Sequence, residues 1–222
     1  MVLVVAFFRT PTGKGVVGEF LVNIAVKLRL DKDKYHLIKN VTLPTEGGTT
    51  QIDHIIVSEY GIFVVETKNM KGWIFGDKKQ KYWTQKIYKH TNKFQNPLHQ
   101  NYKHTKTIQD ALNISSNKIF SVVVFTGDST FKTQMPKNVK YGISYIDYIK
   151  SKKEKVLSQK EVSEIIDSIE SRRLVRSFKT NQEHKKHVKN IVKEKENKKS
   201  CPKCGGDLVL RVAKKGNQAG NK

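Results

Sequence analysis

Apolar and polar positions along this chain recur with periods that change from segment to segment, and the changes mark the elements. From Gly15 to Leu30 the apolar residues Val16, Val17, Phe20, Leu21, Ile24, Ala25 and Leu28 fall at helical spacing. Tyr35 to Leu43 then reads as a strand, closed by Pro44 and the Gly47-Gly48 turn. Gln51–Val57 and Ile62–Lys68 are two more strands, joined through Ser58-Glu59-Tyr60-Gly61, and shorter strands are expected at Gly72–Phe75 and Tyr82–Lys86. Asn96-Pro97 opens a helix running to about Asn113, because Asn is a good N-cap and Pro suits the first helical position. Ile119–Thr126 is apolar nearly throughout, as a strand buried on both faces should be. Lys140–Ile146 would add an edge strand, and Ser158 to Leu174 a helix whose capping box is Ser158 with Glu161. Beyond Phe178 the chain is Lys-rich and poor in core residues up to Lys199, a solvated helix or linker. This order predicts a mixed α/β domain.

Charge narrows the partner. Lys+Arg number 42 against 20 Asp+Glu, a net charge of +22. A polyanion is therefore expected, nucleic acid first and an anionic membrane face second. The excess is densest at the C-terminal end: residues 151–222 carry 20 basic and 9 acidic side chains, residues 1–150 carry 22 and 11. The two cysteines, Cys201 and Cys204, cannot make a disulfide framework, and their CxxC spacing reads as metal or redox chemistry in a reducing, cytoplasmic setting. Met1–Phe8 is apolar but too short to span a bilayer, and it lacks the basic start and cleavage site of a signal peptide. It is either an edge element on the core or a short anchor for membrane association.

Against this basic background the acids in the two central strands stand out. Glu66 and Lys68, two apart, leave the same face of their strand. A connecting loop of two or four residues gives partners whose numbers sum to 119, which sets Asp53 opposite Glu66 with Cβ atoms about 4.5–5.5 Å apart. A three-residue loop would put them on opposite faces. Gly61, as the last residue of a four-residue loop, favours the first arrangement. Two adjacent carboxylates repel unless a cation lies between them, and oxygen ligands of this kind suit Mg²⁺ or Mn²⁺. Lys68 beside them could position a water and neutralise a phosphoryl group. From spacing alone, a cross-strand salt-bridge cluster on a solvated face is the favoured reading.

Gly18-Glu19, the run Gly48-Thr49-Thr50-Gln51-Ile52-Asp53-His54-Ile55, and Gly61-Ile62-Phe63-Val64-Val65-Glu66-Thr67-Lys68-Asn69 resemble the nuclease-related domain (NERD), as do Gly72, Gly76, Trp83 and Asn96-Pro97-Leu98-His99-Gln100. The likeness spans about residues 15–125. That family is grouped with the PD-(D/E)XK superfamily, so the resemblance implies a restriction-endonuclease-like core, a mixed sheet flanked by helices. It also implies a metal-dependent nuclease with Asp53, Glu66 and Lys68 as its triad, Glu19 facing the metal, DNA favoured as substrate, and a homodimer as one state to expect. Non-catalytic nucleic-acid binding on the same fold is the alternative, and lipid binding through the basic surface a second.

Further candidates lie around this core. Gln100 could hold a water, Lys68 or a phosphate, and Lys103, His104 and Lys106 on the same helix form a candidate phosphate track. His54 should point away from Asp53 and be structural. Trp73 and Trp83 flank Lys78, Lys79 and Lys81, where base stacking is conceivable but packing on the sheet is favoured. Cys201-Pro-Lys-Cys204-Gly-Gly resembles half of a topoisomerase-type zinc ribbon; no second CxxC follows, so a partial Zn²⁺ knuckle is expected, with a site completed by His184 and His187 or a tail with two free thiols as the alternatives. The expected organisation is an apolar segment (1–14), a nuclease-related domain (15–150), a basic helical extension (151–199) and the incomplete zinc segment (200–222).

Overall fold

The computed structural model describes residues 11–174 and residue 190. The chain divides into a unit of residues 1–175 and another of 176–222, and the fold described here belongs to the first. The expectations for Met1–Phe8, for the Lys-rich stretch beyond Phe178 and for Cys201 and Cys204 lie outside the described residues.

Helix α1 (Pro11–Arg29) leads into a meander of β1 (His36–Thr45), β2 (Gly48–Ser58) and β3 (Gly61–Asn69). Three short strands follow, β4 (Gly72–Phe75), β5 (Tyr82–Ile87) and β6 (His90–Gln95). Then come α2 (Pro97–Leu112), β7 (Ile119–Thr126), β8 (Ser129–Phe131), β9 (Val139–Tyr141), α3 (Ser144–Lys150) and α4 (Gln159–Arg172). The main sheet runs β1-β2-β3-β7-β9; the meander is antiparallel, while β3, β7 and β9 are parallel neighbours. A smaller sheet, β6-β5-β4-β8, continues beyond it.

Helices cover both faces of the main sheet, which is why β3 and β7 read as unbroken apolar runs. One layer joins Ile38, Val41, Ile55, Val57 and Val64 to Ile108 of α2 and to Val162, Ile165 and Ile169 of α4. The other joins Ile56, Phe63, Val65, Val122 and Val124 to Val22, Ala25 and Val26 of α1 and to Tyr145, Ile146 and Ile149 of α3. A third cluster, around Ile74, Trp83 and Phe125, ties the small sheet to β7.

Several expectations need correction. Helix α4, expected in a basic extension, buries three apolar residues in the main core, so the folded unit runs past residue 150. Its capping box is present: Ser158 accepts from Glu161 N, and Glu161 reaches back to Ser158 N. The edge strand expected at Lys140–Ile146 is only Val139–Tyr141; Gly142 at φ 55° ends it, and α3 follows, turning Tyr145, Ile146 and Ile149 inward at helical spacing. Strand β6 (HTNKFQ) has no apolar alternation to announce it, and β8 is three residues long.

The β2–β3 register is the one whose partners sum to 119, from His54 opposite Val65 to Ser58 opposite Gly61. The loop is two residues, Glu59-Tyr60, and Gly61 opens β3 at φ 122°, where a Cβ would strike the Phe120 ring and the Lys118 carbonyl. Ser58 Oγ closes the turn by accepting from Tyr60 N and donating to the Gly61 carbonyl.

Strict alternation fails once, and it fails beside the acids. Ile52 and Ile55, three apart, lie in the same layer, and so do their β1 partners Val41 and Ile38. Between them Asn40 adopts φ 52°, and neither the Asn40–Asp53 nor the Asp53–Glu66 position is part of a ladder. Both strands kink here, and Asp53 occupies the gap between β2 and β3.

Candidate active site

Asp53 fills the gap with its side chain: Oδ2 accepts a hydrogen bond of 2.9 Å from Thr67 N, which the broken ladder leaves without a strand partner on that side. Glu66, on the neighbouring strand, is 2% exposed. A salt-bridge cluster on a solvated face is therefore not what the fold builds. Lys68 Nζ donates to Glu66 Oε1 at 2.6 Å and to Gln100 Oε1 at 2.9 Å, so the ammonium is suspended between β3 and α2. Of the roles open to Gln100, it takes that of holding Lys68.

His104 is buried rather than displayed on a phosphate track. Its Nε2 lies 3.3 Å from Glu66 Oε2, a close contact without hydrogen-bond alignment, and its Nδ1 lies 2.9 Å from Thr50 Oγ1. Gln100 and His104, four apart, share one face of α2, so the helix grips the Lys68–Glu66 pair from both ends. Asn101 sets the helix in place: its Nδ2 lies 2.8 Å from the Val64 carbonyl, 2.9 Å from Ser121 Oγ and 3.0 Å from the Val122 carbonyl. Sequence reasoning missed Asn101 and Thr50 and misassigned His104. The available signal was the i, i+4 spacing of Gln100 and His104.

The start of α2 is anchored just as firmly. Asn96 accepts from Leu98 N at 2.9 Å as the N-cap, while its Nδ2 points at the carbonyls of Asp77, Lys78 and Gln80. This ties the loop bearing exposed Lys78, Lys79 and Lys81 to a point one helical turn before Gln100. Lys103 and Lys106 are exposed farther along α2, with Lys106 Nζ bonded to Gln109 Oε1 at 2.9 Å. The tryptophans divide: Trp83 is fully buried against Phe125, whereas Trp73 is exposed beneath Lys132 Nζ at 4.6 Å.

On the opposite side of the sheet α1 approaches closely at Gly18. A Cβ there would lie 2.8 Å from Thr126 Oγ1 and 3.0 Å from Asn69 Cβ. This close contact brings Glu19 into the electrostatic reach of Asp53. His54 is fully buried, and burial pushes its imidazole down to about 4.

The carboxyls are driven apart. Burial, then the charge of Glu66, pushes Asp53 up to about 8, against the opposing Thr67 N–H; Glu19 adds to the rise and Lys68 subtracts from it. Glu66 is also penalised by burial, but the Lys68 ammonium and His104 outweigh that and hold it below the usual carboxylate range. The site thus keeps one carboxylate charged and a second pressed toward its neutral form.

Residues 14–126 match the nuclease-related domain. The chain belongs to that family. The match takes in α1 to β7, and so every residue of the site above. A second likeness is to the uncharacterized protein pXO1-01 of Bacillus anthracis, 53% identical over 100 residues, which are 45% of this chain and 47% of that protein. The match therefore spans about half the length of that relative, whose name states no activity.

Proposed function

We propose that this nuclease-related domain is a metal-dependent nuclease that hydrolyses phosphodiester bonds of nucleic acid, with DNA as the favoured substrate. The observation that carries the reading is the pairing of Asp53 with Glu66 at the strand gap, one carboxyl of which burial and its neighbour push up to about 8. A site in that condition is short of one positive charge. Mg²⁺ or Mn²⁺ fits the donor set: the donors are carboxylate oxygens, and Glu66 Oε2 is buried without an aligned hydrogen bond. Among the described residues no three His, Cys, Asp or Glu side chains group into a complete cage, and Mg²⁺ commonly binds through one or two carboxylates with water and substrate phosphate completing the shell.

Asp53 and Glu66 would hold the ion, and Glu19 would add negative charge from α1. When bound, such an ion lowers the pKa of its water and neutralises phosphate charge. Lys68, steered by Gln100, would orient the attacking water and stabilise the charge that develops on the phosphoryl oxygens. Lys78, Lys79, Lys81, Lys103 and Lys106 would hold the backbone of the nucleic acid, so that affinity falls steeply with salt. A second reading, nucleic-acid binding without cleavage, draws support from the Lys68–Glu66–His104 contacts, which already compensate Glu66.

One assay separates the two. Labelled single- and double-stranded DNA and RNA are incubated with Mg²⁺ or Mn²⁺ and the wild type, Glu66→Ala or Lys68→Ala. Unchanged binding with cleavage lost in both variants is the expected result. Wild type that binds but cleaves none of these substrates with either ion refutes the nuclease.

A further inference from the structure

Among the described residues nothing covers the outer face of α1, which is largely apolar. Phe20 and Leu28 are 60% and 75% exposed, and Val16 and Ile24 lie on the same side. These four positions fall within about 120° of the helical wheel, an arc that exposed Lys27 shares, while the opposite side packs Val22, Ala25 and Val26 into the core. Ile24 and Leu28 also edge a groove of about 300 Å³ between α1 and the β9–α3 turn, with Tyr141 and exposed Ile143 on its far wall. A contiguous apolar surface of this kind, in a chain with a net charge of +22, marks a contact surface.

The charges identify the occupant. Lys27 and Arg29 sit in the last turn of α1, the first turn has no acid, and Arg29 lines the groove. A second copy would bring +22 against +22, and an uncharged apolar partner would leave the basic residues unmatched. An anionic bilayer surface satisfies both features at once. In sequence, the apolar run Met1–Phe8 leads directly toward this helix. Among the described residues no helix is long and apolar enough to cross a membrane, so the contact is one of lying on the surface.

We propose that the exposed face of α1 docks on anionic phospholipid, with Phe20, Ile24 and Leu28 entering the acyl boundary and Lys27, on the same arc, reaching the headgroups. Glu19 lies about 140° around the helix from Ile24, on the side of Asp53. Docking therefore leaves the carboxylate site facing away from the lipid.

The test is flotation of the full chain with vesicles of phosphatidylcholine alone or mixed with phosphatidylglycerol. Wild type should float with the mixed vesicles only. The double variant Phe20→Glu/Leu28→Glu should bind them at least roughly tenfold more weakly, since each side chain forfeits much of its transfer free energy, with its melting temperature unchanged because both positions are exposed. Three results overturn the proposal: wild type that floats with neither vesicle; a double variant that floats like wild type, including binding that is lost only on deletion of residues 1–8; and wild type that is a dimer by light scattering, fails to float, and becomes a monomer on double substitution, which assigns the face to a second copy.

Discussion

Asp53→Asn should make the metal-free protein more stable, and increasingly so as pH rises. The carboxyl moves from 3.8 in the unfolded chain to about 8 in the fold. Below pH about 4 both states are protonated and Asp53 contributes nothing. Between about 4 and 8 the folded protein keeps a proton that the unfolded chain has released, so stability falls with pH. Above about 8 both states are ionised and the full penalty stands. At about 1.4 kcal/mol per pH unit the bound is near 6 kcal/mol; solvent access and relaxation at this half-buried site reduce the expected gain to about 2–3 kcal/mol. Asparagine keeps an acceptor for Thr67 N, and its amide can donate to Glu66. For a chain of this size the gain corresponds to roughly 4–12 °C in Tm.

The assay is thermal or urea unfolding from about pH 5 to about pH 9, with and without Mg²⁺. The variant's advantage should grow across that range, and Mg²⁺ should raise the Tm of wild type but not of Asp53→Asn. A variant less stable than wild type near pH 8, or an advantage independent of pH, refutes the electrostatic account of the site.

Two further outcomes follow from the elements that hold the site. Asn101→Ala should cost about 2–3 kcal/mol in urea unfolding, because the buried carbonyls of Val64 and Val122 lose their side-chain donor; a loss under 0.5 kcal/mol, roughly that of an ordinary surface change, would mean that Asn101 does not anchor α2. Gly18→Ala should cost about 1–3 kcal/mol, since its Cβ meets Thr126 Oγ1 at 2.8 Å and α1 must shift. If the site is catalytic, that variant should also lose activity through displacement of Glu19, and it should do so in the folded protein, as checked by circular dichroism.

Much of the architecture can be read from the chain because it rests on local rules. The apolar spacing of α1, the all-apolar run of β7, the Asn96-Pro97 start of α2 and the Ser158–Glu161 box are each contained within a few residues. The β2–β3 register is nearly as local, because a two-residue turn with Gly61 at positive φ sets it from Ser58–Gly61 to His54–Val65, one step short of Asp53 and Glu66. Their chemistry is a different matter. That Glu66 is buried rather than solvated, that His104 turns inward to it and that α4 closes the core all depend on contacts between segments 38 to more than 100 residues apart. The kink at Asn40 and Asp53 breaks the alternation on which strand reading depends, and it opens the gap that Asp53 fills. The sequence by itself determined most of the helices and strands and singled out Asp53 and Glu66 as the acids of the central strands. Only the tertiary structure decided how little water reaches them, and that desolvation is what drives the two carboxyls apart.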